Sequence, residues 1–147
     1  MVLLPIHSPC EALQLLAPLL RDDAETLPQR QVSPHLRPAI EQALATVEAR
    51  LQPISKEYLR QILARFFLHY GKDIRPHEFA YYQHALQRYP EDLVCAGYQY
   101  LLRHHFSPKA PLADDFVAFI QPEFLHREAL QRKLAWLAEK SCAEVFA

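Results

Sequence analysis

Four side chains on one face of a predicted helix, His77, Tyr81, His84 and Arg88, have the types needed to bind an anion or a protein partner. They fall within the stretch HEFAYYQHALQRYPEDL at steps of three or four residues, which places them on one side of an α-helix. Tyrosine and arginine are enriched in protein interfaces, and cations beside aromatic rings also suit contact with nucleic acids. The sequence therefore predicts a binding face here. The simpler alternative is a solvated helix face with one amphipathic tyrosine.

A second stripe on the same predicted helix is apolar and aromatic. Its members recur at helical spacing on a different face, which is typical of side chains that pack in a core. We expect that replacing both Tyr81 and Arg88 by alanine changes the free energy of unfolding by less than about 1 kcal/mol, because neither belongs to this stripe. The apolar stripe consists of Phe79, Tyr82, Leu86 and Tyr89.

Basic residues in the middle of the sequence form a second candidate binding surface. Residues 53–109 hold eight Lys and Arg against five Asp and Glu, a net charge of +3, whereas the whole chain has a net charge of −1. Lys56 and Arg60 are four residues apart, so they share a helical face and could follow a nucleic-acid backbone. The alternative is that these cations, with Lys72, Arg75 and Arg88, only keep the surface soluble. No recognition-helix motif accompanies them.

Motifs for catalysis or for metal and cofactor binding are missing from the sequence. With Gly71 and Gly97 as the only glycines, phosphate-binding loops and dinucleotide fingerprints are excluded. The three cysteines are widely spaced and include no Cys-x-x-Cys pair. His77 and His84 are two helical turns, about 10 Å, apart, which is too far for one ion. We therefore expect no catalytic residues, no metal and no cofactor, and a protein that is not an enzyme.

Composition is typical of a folded, soluble domain. Half of the 147 residues are hydrophobic and 22% are charged. No stretch approaches the roughly 18 consecutive apolar residues that would cross a bilayer. Scattered cysteines without a pairing pattern are typical of a reducing compartment. A cytoplasmic protein without membrane contact is expected.

Prolines indicate where the helices begin, because proline at the first helical position loses no needed N–H group and already has a helical φ. No segment alternates apolar and polar residues as a strand would, so the fold is predicted to be all-α. We expect one domain, 1–147, with orthogonal or irregular packing of six to seven helices; residues 1–52 supply the N-terminal helices and residues 53–140 the core. The predicted helices run from about Pro9 to Leu20, Pro34 to Leu51, Ser55 to Tyr70, Pro76 to Tyr89, Pro90 to His104, Pro111 to Ile120 and Pro122 to Lys140.

The third predicted helix has the clearest apolar pattern. Ser55 is placed to cap its start, and Gly71 is placed to end it. Gly97, in the middle of the fifth predicted helix, indicates close packing against a neighbouring helix, since glycine is otherwise unfavourable there. The apolar side chains of the third helix are Tyr58, Leu59, Ile62, Leu63, Phe66, Phe67 and Tyr70.

From Ile54 to about Leu137 the order of features resembles that of small helical proteins of phages and prophages. The segments that carry the resemblance are ILARFFLHYG, FAYYQHALQRYPEDLVCAGYQYLLRHH and FSPKAPLADDFVAFIQPEF. In those proteins a Y-x-x-x-L-x-x-x-P-x-x-L/V stretch leads through an Ala-rich helix to F-x-P-x-P-x-x-L, and the usual F-F-P is Phe106-Ser107-Pro108 in this chain. Such sequences resemble the helical domains of helicase loaders and replisome organisers. The resemblance implies a non-enzymatic replication adaptor that contacts a helicase, an initiator or DNA.

Two functions are consistent with the sequence. The first is a helical interaction protein of prophage type that binds a protein partner, with a helicase or an initiator suspected. The alternative is a helical DNA-binding or regulatory module, whose binding would weaken steeply with salt. The residues predicted to bind the partner are His77, Tyr81, His84, Arg88, Lys56 and Arg60.

Overall fold

The structure, a computed structural model, describes residues 34–105 and 107–146 together with Leu16. These residues form helices and connections, and no strand occurs among them, which confirms an all-α fold for this part of the chain. The first predicted helix lies outside the described residues, apart from Leu16, which is helical and buried. After a 3₁₀ turn at Pro34–Leu36, the helices are α1 (Arg37–Ala49), α2 (Lys56–His69), α3 (Pro76–Leu86), α4 (Glu91–His104) and α5 (Ala113–Phe146).

The sixth and seventh predicted helices are a single helix, so the predicted helix start at Pro122 is wrong. Pro122 lies inside α5, where it removes one backbone hydrogen bond and costs about 3 kcal/mol relative to alanine. Buried side chains continue at four-residue steps on both sides of it, and this unbroken apolar stripe stabilises the continuous helix. The stripe consists of Phe116, Ile120 and Phe124.

The described residues divide into two compact units. The first unit contains residues 51–125, and therefore α2, α3, α4 and the beginning of α5. The second unit contains α1 and the part of α5 that begins at His126. A single-domain organisation stays a prediction.

In the second unit a buried arginine of α5, Arg127, binds the backbone just past the end of α1. Arg127 is 3% exposed, and its Nη1 donates a hydrogen bond to the carbonyl oxygen of Arg50 at 2.6 Å. This bond satisfies a backbone acceptor just past the last turn of α1, where a helix leaves its carbonyl groups unpaired. The apolar side chains buried in this unit include Ile40, Ala43, Val47, Leu134 and Leu137.

The first unit is built around an aromatic core centred on α2, which packs against α3 and α4. Phe66 is fully buried and meets four other rings edge to face, with centroids 5.0 to 6.1 Å apart. Edge-to-face pairs at such distances add to the stabilisation that apolar burial provides. The four rings belong to Phe67, Tyr70, Tyr98 and Phe116.

Both ends of α2 follow the local signals in the sequence. The Ser55 hydroxyl accepts a hydrogen bond from the backbone N–H of Tyr58 at 3.2 Å, as an N-cap residue does. At the other end Gly71 has φ of +72°, and the Lys72 N–H bonds the Phe67 carbonyl at 3.0 Å. This is the Schellman arrangement, in which glycine takes the left-handed conformation without strain. The predicted start and stop are confirmed.

The corner between α3 and α4 differs slightly from the prediction. Helix α3 ends at Leu86 instead of Tyr89, and a turn follows in which the Tyr89 N–H bonds the Leu86 carbonyl at 3.1 Å. Pro90 disfavours helical backbone angles at Tyr89, so the helix cannot continue through it. The Ile54 N–H donates to the Tyr89 carbonyl at 2.9 Å, and an isolated antiparallel bridge joins Pro53 to Pro90. These contacts fix the start of α2 against the start of α4.

Gly97 lies where α4 approaches α5, as its position in the sequence predicted. A Cβ atom at this position would lie 3.4 Å from the side chains of Ile120 and Phe116. The two helices therefore approach closely at Gly97, where a methyl group would just be in van der Waals contact with both side chains.

Candidate functional site

A cleft of about 370 Å³ lies in the first unit, between the start of α2 and the first half of α3. Its volume lies in the lower part of the range of ligand pockets, roughly 300–1,000 Å³. Three of its lining side chains are cationic and none is acidic: the cations are Lys56, Arg60 and Arg75. The other lining residues are Ile74, Pro76, Phe79, Ala80 and Gln83. We call this site the cationic cleft.

Helix α2 supplies two of the three cations. Capping by Ser55 starts the helix at Lys56, and Arg60 follows four residues later on the same face. Both side chains are exposed. The sequence pattern that predicted a shared helical face is therefore confirmed for this pair, and the structure places both residues in one cleft.

The connection to α3 supplies the third cation. After the turn at Gly71 the chain is extended at Arg75, with φ −84° and ψ 155°, and Pro76 begins α3. No side chain caps this start. The partial positive charge at the start of α3 therefore adds to the positive charge of the cations that line the cleft.

The guanidinium of Arg60 lies over the ring of Phe79, which also lines the cleft. Its central carbon lies 4.8 Å from the centroid of the Phe79 ring, a cation–π contact. Phe79 is only 7% exposed, so its ring is part of the core and its position is fixed by packing. It therefore restricts the position of the guanidinium that lies over it. Among the described residues, no carboxylate pairs with Arg60 or with the other two cations, Lys56 and Arg75. Their charge is therefore available to an external anion.

Three of the predicted binding residues lie on the outer surface of α3. His77, Tyr81 and His84 are exposed, and Tyr81 is the most exposed aromatic residue described, at 50%. None of the three lines the cationic cleft. The burial predicted for the core stripe is confirmed, since its four members are 0 to 7% exposed, although only Phe79, Tyr82 and Leu86 lie on α3 and Tyr89 follows its end.

Arg88 is separated from that face because α3 ends before it. Its Nη2 donates a hydrogen bond to the Tyr89 hydroxyl at 2.8 Å. The guanidinium carbon also lies 4.8 Å from the ring centroid of Tyr89 and 5.7 Å from that of Phe124. These contacts give Arg88 a structural role, and its role in binding stays a prediction.

Two polar residues of the cleft, Arg75 and Gln83, were not among the predicted binding residues. Arg75 is one of the basic residues of the middle segment, but nothing in its spacing connects it to α2. Gln83 is four residues after Phe79 and so shares its helical face, a signal that could have identified it. Only the approach of the two helices brings them to Lys56 and Arg60.

Two phenols in the first unit are held in their neutral form. The Tyr58 hydroxyl lies 3.6 Å from the Cys95 sulfur, and this hydrogen bond is the largest of the influences that raise the pKa of Tyr58. Burial raises the pKa of Tyr82 to about 12, and its hydroxyl donates to the Pro111 carbonyl. Neither phenol is activated as a base or nucleophile at neutral pH.

Neither a cluster of metal-ligand side chains nor a membrane-spanning helix occurs among the residues that the structure describes. No group of three or more His, Cys, Asp or Glu side chains comes together there in a way that could hold a metal ion. No helix in this part of the chain has both the length and the apolar character needed to cross a membrane.

Comparison with known proteins identifies no relative whose ligand could indicate what the cationic cleft binds. No protein-family model, curated protein or solved structure matches the chain. The resemblance to phage proteins therefore stays a prediction from the sequence.

Proposed function

We propose that the protein is a non-enzymatic interaction module that binds an acidic segment of a protein partner in the cationic cleft. The observation that supports this function is the lining of the cleft, in which three cations from α2 and from the residue before α3 accompany apolar side chains and no acidic side chain is present. The partner segment would place its negative groups against Lys56, Arg60 and Arg75. An apolar side chain beside them would pack on Ile74 and Pro76.

The contact of Arg60 with Phe79 supports binding in a second way. Fixing a long side chain on association costs about 0.5–1.5 kcal/mol, and a guanidinium that already rests on a ring has less freedom to lose. Arginine also offers paired N–H donors that match a carboxylate or a phosphate. Complementary charge would accelerate the encounter with an acidic partner and exclude basic ones.

Direct binding of a nucleic acid, the alternative function, has weaker support in this cleft. Proteins that bind single strands present aromatic faces on which bases stack. The one aromatic residue that lines the cleft, Phe79, is almost fully buried, and Arg60 already covers its ring. Duplex recognition uses side chains that reach base edges from a helix in the major groove, and a small cleft does not provide such a surface.

The resemblance of residues 54–137 to helicase-loader and replisome-organiser domains supports a more specific proposal. The partner would then be a helicase or an initiator of prophage replication, and binding would take place in the cytoplasm. The exposed His77, Tyr81 and His84 would extend the interface along α3.

Affinity capture with matched charge variants tests the proposed function. The full chain is immobilised, incubated with extract of its host, and the retained proteins are identified by mass spectrometry and then purified for direct binding. The test variant carries Lys56→Gln, Arg60→Gln and Arg75→Gln. The control carries Arg65→Gln, Lys72→Gln and Arg103→Gln, which remove the same charge from exposed residues outside the cleft.

We expect wild type and control to retain one acidic partner directly and the test variant to lose it. Equal retention by the test variant would exclude the cleft as the binding site. Fluorescence anisotropy with a DNA duplex serves as the second measurement. Tight DNA binding that falls steeply with salt and is lost in the test variant would favour the alternative function.

A further inference from the structure

The charge of the cationic cleft indicates a particular kind of anion. We propose that the cleft takes a phosphorylated side chain of the partner protein, a phosphomonoester, in preference to a carboxylate. This inference rests on the proposed function, because it specifies which anionic group of the partner segment enters the cleft.

The balance of charge is the first argument. Three cations line one small cleft, no acidic residue lines it, and among the described residues no carboxylate pairs with any of them. Like charges held together repel, so a multivalent anion relieves more of this repulsion than a monovalent one. A carboxylate brings a single negative charge, whereas a phosphomonoester brings about −1.5 to −2 at neutral pH.

The arrangement of hydrogen-bond donors is the second argument. A phosphomonoester presents three terminal oxygens that point in different directions, whereas a carboxylate presents two in one plane. The cleft offers donors from two segments of the chain: Lys56 and Arg60 come from α2, and Arg75 from the residue before α3. Two guanidinium groups, each able to make paired bonds, and one ammonium group suit three oxygens better than two.

The apolar part of the cleft indicates that the phosphoryl group is attached to a protein. Ile74, Pro76, Phe79 and Ala80 line it beside the cations. They can contact the carbon atoms of the phosphorylated residue and an apolar neighbour in the partner segment. Free inorganic phosphate has no such atoms, so it would use only the cationic part of the site.

Titration of the ¹⁵N-labelled full chain by NMR tests the inference with defined probes. Three blocked hexapeptides share one sequence with a phenylalanine and differ at one position, which is phosphoserine, glutamate or serine. Inorganic phosphate is the fourth probe. We expect the phosphoserine peptide to shift backbone amide signals of residues 56–60 and 74–83 and to bind about tenfold or more tightly than the glutamate peptide.

Variants of the cleft test which residues make the contact. Arg60→Gln and Arg75→Gln should each weaken binding of the phosphoserine peptide about tenfold, as expected for loss of charge-assisted hydrogen bonds. Arg60→Lys, which keeps the charge but loses the paired donors, should weaken it less. Arg65→Gln, on the same helix outside the cleft, should bind as the wild type does. Unchanged thermal unfolding identifies the variants that remain folded, and Arg60→Lys keeps the test valid if Arg60→Gln does not fold.

The probes separate the ways in which the inference can fail. Equal affinity for the glutamate and phosphoserine peptides would overturn the preference for phosphate and leave the proposed function standing. Inorganic phosphate that binds as tightly as the phosphoserine peptide would overturn the assignment to a protein segment. If no peptide shifts the signals of the cleft, the inference is wrong, and the capture experiment with the charge variants decides the proposed function separately.

Discussion

Arg60 and Arg88 make the same contact in two parts of the first unit and yet differ in what they can do. Each guanidinium carbon lies 4.8 Å from the centroid of a largely buried ring, that of Phe79 for Arg60 and that of Tyr89 for Arg88. Arg88 also donates a hydrogen bond to the Tyr89 hydroxyl and lies near a second ring, Phe124. Arg60 instead lines the cationic cleft.

The comparison shows that a ring contact alone does not identify the role of an arginine. The available internal acceptors and neighbouring rings decide whether the guanidinium stabilises the fold or remains available to a ligand. Arg88 finds a hydroxyl within the protein, so its replacement should mainly affect stability. Arg60 finds no acceptor among the described residues, so its replacement should mainly affect binding.

The largest expected effect comes from removing the aromatic core of the unit that contains both arginines. Phe66→Ala should lower the free energy of unfolding by about 3–5 kcal/mol, because Phe66 is fully buried among four rings. Urea denaturation followed by circular dichroism measures the change. Phe66→Leu keeps more of the buried volume but also loses the four ring contacts, so it should cost less than the alanine variant and still be clearly destabilising. A loss of less than about 1 kcal/mol for the alanine variant would contradict this account of the core.

Replacing Arg88 should have the next largest effect. Arg88→Ala removes the partner of the Tyr89 hydroxyl and two ring contacts, so we expect a loss of about 1–2 kcal/mol. The sequence alone predicts a smaller loss of stability, less than about 1 kcal/mol even when Tyr81 is replaced together with Arg88. Arg88→Lys should recover part of the loss, and Tyr81→Ala alone should change little. If Arg88→Ala has the same free energy of unfolding in urea as the wild type, Arg88 does not stabilise the fold and does not differ from Arg60 in this respect.

Arg60 should show the opposite balance. Arg60→Gln should lower stability by less than about 1 kcal/mol, the usual value of a cation–π contact at an exposed site. The same variant should bind the phosphoserine peptide about tenfold more weakly. Measuring unfolding and binding on one preparation tests both statements. A variant that loses stability while retaining affinity would reverse the roles assigned to the two arginines.

Ionisation of Tyr82 should affect stability only at alkaline pH. Tyr82 lies on α3, the helix that also carries Phe79 of the cleft, so its ionisation tests how stably this helix packs. Burial raises the pKa of Tyr82 from 10.0 to about 12. The folded state holds this proton more tightly than the unfolded state, so the stabilisation is present below pH 10 and is lost as the pH rises toward 12. Urea denaturation across this range should show the decline. Tyr82→Phe should make it shallower, and an identical decline would exclude Tyr82 as a cause.

Local signals in the sequence predicted the parts of the fold that depend on neighbouring residues. Ser55 and Gly71 determine the ends of α2 through a side-chain cap and a left-handed backbone, and both effects are encoded within one helical turn. Pro122 misled the prediction because the local penalty of an interior proline is outweighed by tertiary burial. That burial involves Phe116 and Phe124 on either side of it, and it depends on helices elsewhere in the chain.

The candidate site was predictable only in part for the same reason. Lys56 and Arg60 share a helical face, so their spacing was sufficient to pair them. Arg75 joins them only because α3 crosses beside α2, and a helical period carries no information about that crossing. Arg88 was grouped with Tyr81 by a helix predicted to continue to Tyr89, whereas α3 ends at Leu86.

The bridge between Pro53 and Pro90 has a consequence for how this protein behaves in a crowded solution. Extended segments that pair side by side can recruit strands of other chains through their unpaired backbone donors. Here both bridging residues are prolines, which have no N–H group, and the neighbouring Ile54 N–H already bonds the Tyr89 carbonyl. The pairing therefore cannot extend into a ladder at this point. The connection that orients two helices is also protected against seeding aggregation.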